Sequence, residues 1–203
     1  MKKIVIVALI LVLAFALVIV VAVSQKDSDE NQPVKLGASN QQVSTPDEII
    51  NKSFSNLDDF TSETLSGGTF TSENFKDYDL TVVNIWGTFC PPCRAEMPEL
   101  ASFANALPSR IQFITICTDA TGGNIGSAKT ILSDAGFGGV TIISGDEQLY
   151  NLLNKVEYVP TTLFFDSNGN CVGEEIIGSP QNFSETYKSS INEILSSMGK
   201  ELI

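Results

Sequence analysis

Two cysteines separated by two prolines make Cys90-Pro91-Pro92-Cys93 the stretch of this 203-residue chain best equipped for chemistry. Such a pair can be a metal knuckle, a short structural disulfide or a thiol–disulfide redox couple. A structural zinc site takes four tetrahedral ligands from cysteine, histidine or acidic groups. The chain has no histidine, and its other two cysteines, Cys117 and Cys171, form no second knuckle, so no metal is expected. Copper handling that pairs two cysteines with a distant histidine fails for the same reason. A disulfide closing so short a loop removes little unfolded-state entropy, because that stabilisation grows with loop length, and it would be a weak staple. The redox reading fits the placement better. The apolar run LTVVNIW (Leu80 to Trp86) leads into the pair, and Met97, Leu100, Phe103 and Leu107 follow at helical spacing. The cysteines therefore stand where a buried strand ends and a helix begins. There the helix dipole and free N–H groups favour a thiolate and make it a nucleophile.

The elements that must hold this pair follow from period and punctuation. Phe60 to Asn74 alternates around Gly67-Gly68 and predicts a small β-hairpin, and IQFITIC (Ile111 to Cys117) predicts a second buried strand. A helix is expected from about Asn124 to Ala135, ended by Gly136, then a short strand in GVTIIS and a helix over Asp146 to Lys155 opened by two acids. TTLFFD and CVGEEIIG flank SNGN and predict a hairpin with an Asn-Gly turn, and an amphipathic helix is expected over Asn182 to Met198. This order describes an α/β sheet that finishes antiparallel. In it Cys117 and Cys171 lie at opposite ends with two strands between them, so no bridge joins them, and Cys117 is expected to be buried. Pro98 falls inside the helix after the pair and should kink it.

Ahead of this domain, Ile4 to Val23 is an uninterrupted apolar run of 20 residues behind Lys2 and Lys3. At ~1.5 Å per residue it makes about 30 Å of helix, enough to cross a bilayer core. The basic flank favours the cytoplasmic side and puts the remainder outside. Ala22-Val23-Ser24 also has the small-x-small form of a signal-peptidase site, but an uncleaved anchor is favoured because a cleaved signal has a shorter apolar core. The expected organisation is a basic flank and transmembrane signal-anchor at 1–23, a flexible extracytoplasmic linker at 24–53 and a globular domain at 54–203. The protein would be a single-pass cell-membrane protein with its catalytic domain outside. The net charge of −12 excludes nucleic acid as a partner, since a surface this acidic repels phosphate backbones.

The segment VVNIWGTFCPPCRAEMPEL resembles the active-site segment of the TlpA/ResA-like membrane-anchored thiol–disulfide oxidoreductases, in which a strand ends in W-(A/G)-T-W-C-x-P-C-(K/R)-x-E-x-P. The similarity runs from about Phe54 to Met198 and includes the VPTT segment; Phe89 stands where that family usually has tryptophan. The resemblance implies a thioredoxin-like fold with a mixed central sheet and an N-terminal β-hairpin extension. It makes Cys90 the exposed attacking thiol, Cys93 the resolving thiol and Glu96 the group that exchanges protons with Cys93. It also makes Pro160 a cis proline lying against the pair, with the Val159 backbone offered to an extended substrate peptide. Trp86, Phe89 and Pro91 would complete the substrate-binding surface. The implied partners are disulfide-bearing extracytoplasmic proteins, such as apocytochromes c or peptide-methionine sulfoxide reductases, and an integral-membrane electron donor of the CcdA/DsbD type. A monomer is expected, with no cofactor beyond the Cys90–Cys93 disulfide.

Strong oxidants of this fold stabilise the reduced thiolate heavily, with potentials near −120 mV against roughly −270 mV for thioredoxin. They place a histidine between the cysteines. Here that position is proline, and Pro92 also withdraws an N–H that could face the Cys90 sulfur. Both absences predict a reducing couple, hence a reductase of protein disulfides. The alternatives are a thioredoxin-fold peroxidase, which needs a single cysteine in a P-x-x-x-T-x-x-C setting that WGTFC lacks, and a non-catalytic binding module with a structural disulfide.

Overall fold

Leu80–Trp86 is buried along its whole length, as a strand covered on both faces must be, which is why five of its seven residues are apolar and only Thr81 and Asn84 interrupt the run. The computed structural model describes Val34–Lys35, Phe54 and residues 56–203. The chain separates into two units, Met1–Glu30 and Asn31–Ile203, and every described residue belongs to the second. The expected membrane span at 4–23 and the domain limits at 23 and 53 lie outside the described residues. Among the described residues no helix is long and apolar enough to cross a membrane.

In chain order the strands are β1 (Val34–Lys35), β2 (Thr61–Thr64), β3 (Thr69–Thr71), β4 (Leu80–Trp86), β5 (Ile111–Cys117), β6 (Thr141–Gly145), β7 (Tyr158–Val159), β8 (Thr161–Phe165) and β9 (Ile176–Ile177). The helices are α1 (Pro91–Ala106), α2 (Asn124–Ala135), α3 (Glu147–Leu153) and α4 (Phe183–Ser197), with a 3-10 turn at Ser72–Phe75. Seven strands form one sheet in the order β3-β2-β6-β5-β4-β8-β9, while β1 and β7 pair separately. The inner strands β4, β5 and β6 run parallel, and β8 is antiparallel to β4. The register sets Trp86 beside Cys117 and Ile85 beside Thr161. The segments after β4, after β5 and before β8 therefore converge on one end of the sheet.

The hairpin expected at 60–74 is β2–β3, with the sequence after Thr71 turning into the 3-10 helix. Phe60, Phe70 and Phe75 pack on one another, and Phe75 stacks on Phe165 of β8 with ring centroids 5.6 Å apart, which fastens the hairpin to the core. The later hairpin departs from expectation. Its return strand is only Ile176–Ile177 plus an isolated bridge between Phe165 and Cys171. The Asn-Gly turn itself forms: Asp166 Oδ1 accepts from Asn168 N and Asn170 N at 2.8 and 2.9 Å. Gly169 takes φ 76° there, where a side chain would also strike the Leu57 carbonyl. The return strand fails between these points because Gly173, at φ 69°, leaves the extended region. Helix α1 packs against α2 and α4, and Phe183 and Tyr187 of α4 meet Phe103 of α1 edge-on.

Candidate active site

Cys90 is the N-cap of α1, with extended backbone (φ −93°, ψ 106°), and Pro91 and Pro92 occupy the first helical turn. Proline is tolerated there because the first N–H groups of a helix have no intrahelical acceptor. Only one amide remains in that turn to serve the cap, and the Cys93 N–H donates to Cys90 Sγ at 3.2 Å. The sulfur thus holds the place that a serine or aspartate oxygen holds in an ordinary N-cap. Cys90 and Cys93 form a disulfide, with S–S 2.07 Å. On the other side Cys90 Sγ lies 3.6 Å from the Val159 carbonyl oxygen, and the Val159–Pro160 peptide is cis.

The strand-to-helix loop is held from the end of β5. Asp119 Oδ1 accepts from Thr88 N at 2.8 Å and Oδ2 from Thr88 Oγ1 at 2.5 Å. Asn124 Nδ2 also donates to Asp119 Oδ2 at 3.2 Å, and Thr118 N donates to the Trp86 carbonyl at 2.9 Å. A Cβ at Gly87 would meet the Phe89 ring, so a side chain there would turn that exposed ring away from its present position. Phe89 is 48% exposed and is the apolar face next to the pair. Asp119→Ala would leave the Thr88 N–H and hydroxyl without acceptors. A loss of about 1–3 kcal/mol in unfolding free energy is expected, measured by urea denaturation, and Asp119→Asn should recover part of it.

Behind the pair, Glu96 projects from α1 one turn beyond Cys93 and is 4% exposed. Asn84, on the buried strand β4, donates from Nδ2 to Glu96 Oε1 and to Thr162 Oγ1, both at 3.1 Å. Thr162 Oγ1 and the Tyr187 hydroxyl share a hydrogen bond of 2.6 Å. Burial raises the Glu96 pKa from 4.5 to about 7; the side chains of Ser179 and Asn84 oppose the rise and the charge of Glu99 adds to it. A carboxyl group that titrates near neutrality beside a thiol pair can accept and return protons as the pair changes charge. The same network acts on Tyr187, whose pKa is raised by burial first and by the Glu96 charge second.

Of the residues singled out from sequence, Cys90, Cys93, Val159 and Pro160 meet at one point, with Glu96 one helical turn inside. Phe89 and Pro91 are exposed beside them. Trp86, expected on the substrate-binding surface, has no exposed surface and packs in the core, whereas Phe89 is exposed. Cys90, expected to be exposed, is also fully buried in this oxidised form. Its side chain is turned inward between the α1 terminus and the Val159 carbonyl. Cys117 and Cys171 are free, with β4 and β8 between the positions they occupy in the sheet. Asn84, Asp119, Thr162 and Tyr187 were missed from sequence. A polar residue inside an apolar strand run was a readable signal for Asn84; nothing local marked the other three, which reach the site through strand order.

A family description, AhpC/TSA family, matches residues 55–172, more than half of the chain. The soluble secreted antigen MPT53 of Mycobacterium tuberculosis is 28% identical over 110 residues, which is 54% of this chain, and the chain spans only 60% of that relative's length. A thiol:disulfide interchange protein of the thioredoxin family from Chlorobium tepidum TLS superposes with TM-score 0.54 at 21% identity, covering 69% of this chain and 98% of that one. A DsbF homologue from Corynebacterium diphtheriae gives TM-score 0.55 at 20% identity, covering 76% of this chain and 99% of that one. The likeness establishes the fold, which is thioredoxin-like with a mixed sheet.

Proposed function

The chain belongs to the AhpC/TSA family, and from that premise and the geometry of its cysteine pair we propose that it is a thiol–disulfide oxidoreductase. In this reading it works outside the cytoplasmic membrane, held there by the apolar segment at 4–23, and reduces protein disulfides. The observation that carries the proposal is Cys90 at the cap of α1, with the Cys93 N–H on its sulfur at 3.2 Å and the Val159 carbonyl opposite.

In the reduced protein the Cys90 thiolate attacks one sulfur of a partner cystine. The partner's S–S bond breaks, a Cys90–partner disulfide forms and the second partner sulfur leaves as a thiolate that takes a proton. Cys93 then gives its proton to Glu96 and attacks Cys90 Sγ. The mixed disulfide breaks, the partner leaves as a dithiol after taking up the second proton, and Cys90–Cys93 is oxidised. Two electrons have moved to the partner, and an external dithiol must return them. A membrane thiol carrier of the CcdA/DsbD type and extracytoplasmic acceptors such as apocytochromes c or methionine sulfoxide reductases are the partners this scheme calls for.

The test is insulin reduction by the protein in the presence of dithiothreitol, with the Cys90–Cys93 potential measured alongside. Trp86, the chain's only tryptophan, ends the strand that leads into the pair and provides the fluorescence signal. Catalytic insulin reduction with a potential at or below about −230 mV is expected, while a value above roughly −150 mV would make the protein an oxidant. A pair that resists dithiothreitol in the folded protein would leave only a structural disulfide, and catalytic consumption of hydrogen peroxide would move the assignment to a peroxidase.

The role given to Pro92 yields a separate expectation. Pro92→Ala adds a second N–H in the turn that carries the Cys90 sulfur. One more hydrogen bond to a thiolate, about 1.5 kcal/mol, corresponds to a rise of about 30 mV in potential, readable by equilibration with dithiothreitol or glutathione. An unchanged potential would show that the missing donor does not set the redox poise.

A further inference from the structure

Strand β7 is two residues long and takes no part in the seven-stranded sheet. Its partner is β1, from the segment that precedes the globular domain. The two run antiparallel, with Val34 opposite Val159 and Lys35 opposite Tyr158. Val159 is also the residue whose carbonyl lies 3.6 Å from Cys90 Sγ and which leads into the cis Pro160. The chain's own extended segment thus pairs with the backbone edge that the TlpA/ResA-like resemblance offers to an extended substrate peptide. A second observation points the same way: Cys90 and Val159 have no exposed surface in this disulfide form, although thiol–disulfide exchange at Cys90 needs in-line access to its sulfur, from a donor thiolate when it is oxidised and from a partner disulfide when it is reduced. The resting arrangement is closed.

We propose that Val34–Lys35 is a resident internal ligand of the β7 edge, and that an extended, cystine-bearing polypeptide segment must displace it to engage Cys90. The inference rests on the thiol–disulfide exchange proposed above. Its energetics suit an exchangeable occupant. The pairing spans only two residues on each strand, so few backbone hydrogen bonds hold it. Pro33 has no N–H with which to lengthen the ladder. A partner strand that extends along β7 and gains a covalent bond to Cys90 can outcompete it. Tethering nevertheless gives the segment an effective concentration of the order of millimolar, enough to compete with a dilute partner.

The test uses the full-length chain with Val34→Pro and Lys35→Pro together, which removes both amide donors of β1. A control carries the same two prolines at Gln41 and Gln42. Two quantities are read: hydrogen exchange of the Tyr158 and Val159 amides, and the second-order rate of the reduced protein with insulin. The β1 variant should lose exchange protection at whichever of the Tyr158 and Val159 amides faces β1, since the pairs of an antiparallel ladder are hydrogen-bonded alternately, and react about three- to tenfold faster, while the control matches the wild type. Equal protection in variant and wild type would overturn the seating of β1. Lost protection with an unchanged insulin rate would overturn its role as a competitor. Should the wild type prove unable to reduce insulin at all, the exchange reaction itself fails as a reading, and the amide protection still decides whether the edge is occupied.

Discussion

With Cys93 replaced by serine, insulin reduction should fall to the uncatalysed background, a loss of several orders of magnitude, and a disulfide-linked adduct through Cys90 should accumulate on non-reducing gels. With Cys90 replaced by serine, neither turnover nor adduct should be seen. The asymmetry follows from the helix start. Cys90 is the cap, receives the Cys93 N–H on its sulfur and faces the Val159 carbonyl, whereas Cys93 is inside the first turn. The dipole of α1 favours negative charge at the cap position. An adduct formed through Cys93 in the Cys90→Ser protein would reverse the assignment. Cys117 and Cys171 supply the control, since burial pushes the Cys117 thiol up to about 12, with the Asp119 charge adding to it. Burial likewise raises Cys171 to about 11, with Glu175 adding to the rise. Neither is a thiolate near neutral pH, so Cys117→Ala and Cys171→Ala should leave the rate intact.

Glu96→Gln should remove a pH dependence of both stability and rate. The folded protein holds the Glu96 proton more tightly than the unfolded chain, with a pKa of about 7 against 4.5. Between those values the native state binds more protons, so stability falls as pH rises. The contribution is fully present below about 4.5 and fully lost above about 7. The span corresponds to roughly 3 kcal/mol. Glutamine mimics the neutral form, so urea denaturation at pH 5 should separate the two proteins little. At pH 8 the variant should be the more stable, by up to that amount. Activity should move the opposite way. Accepting the Cys93 proton needs ionised Glu96, so the wild-type rate should rise through pH 7, and the variant should lose that inflection and be about a hundredfold slower. A variant with the wild-type pH profile would remove Glu96 from the proton path.

The chemistry was legible early because it is local. A Cys-Pro-Pro-Cys turn between an apolar strand and an amphipathic helix specifies its own cap, and short-range periodicity placed β4, β5 and α1 to α4 to within a few residues. The return strand of the last hairpin was overread. Its apolar residues alternate correctly, but Gly173 breaks the extended backbone and leaves only Ile176–Ile177 paired.

By itself the sequence determined the redox pair, the absence of histidine from its surroundings and the α/β order that ends antiparallel, all of which depend on neighbours a few residues apart. Tertiary structure decided everything that depends on separated segments meeting. The parallel register of β4 and β5 carries Asp119 to Thr88 across 31 positions. The antiparallel β8 brings Thr162 to Asn84 across 78. The burial that lifts Glu96 to about 7 exists only once α1 lies on the sheet. The pairing of Val34–Lys35 with the strand beside Cys90 has no local signal, because a two-residue ladder is written in backbone hydrogen bonds rather than in side-chain pattern.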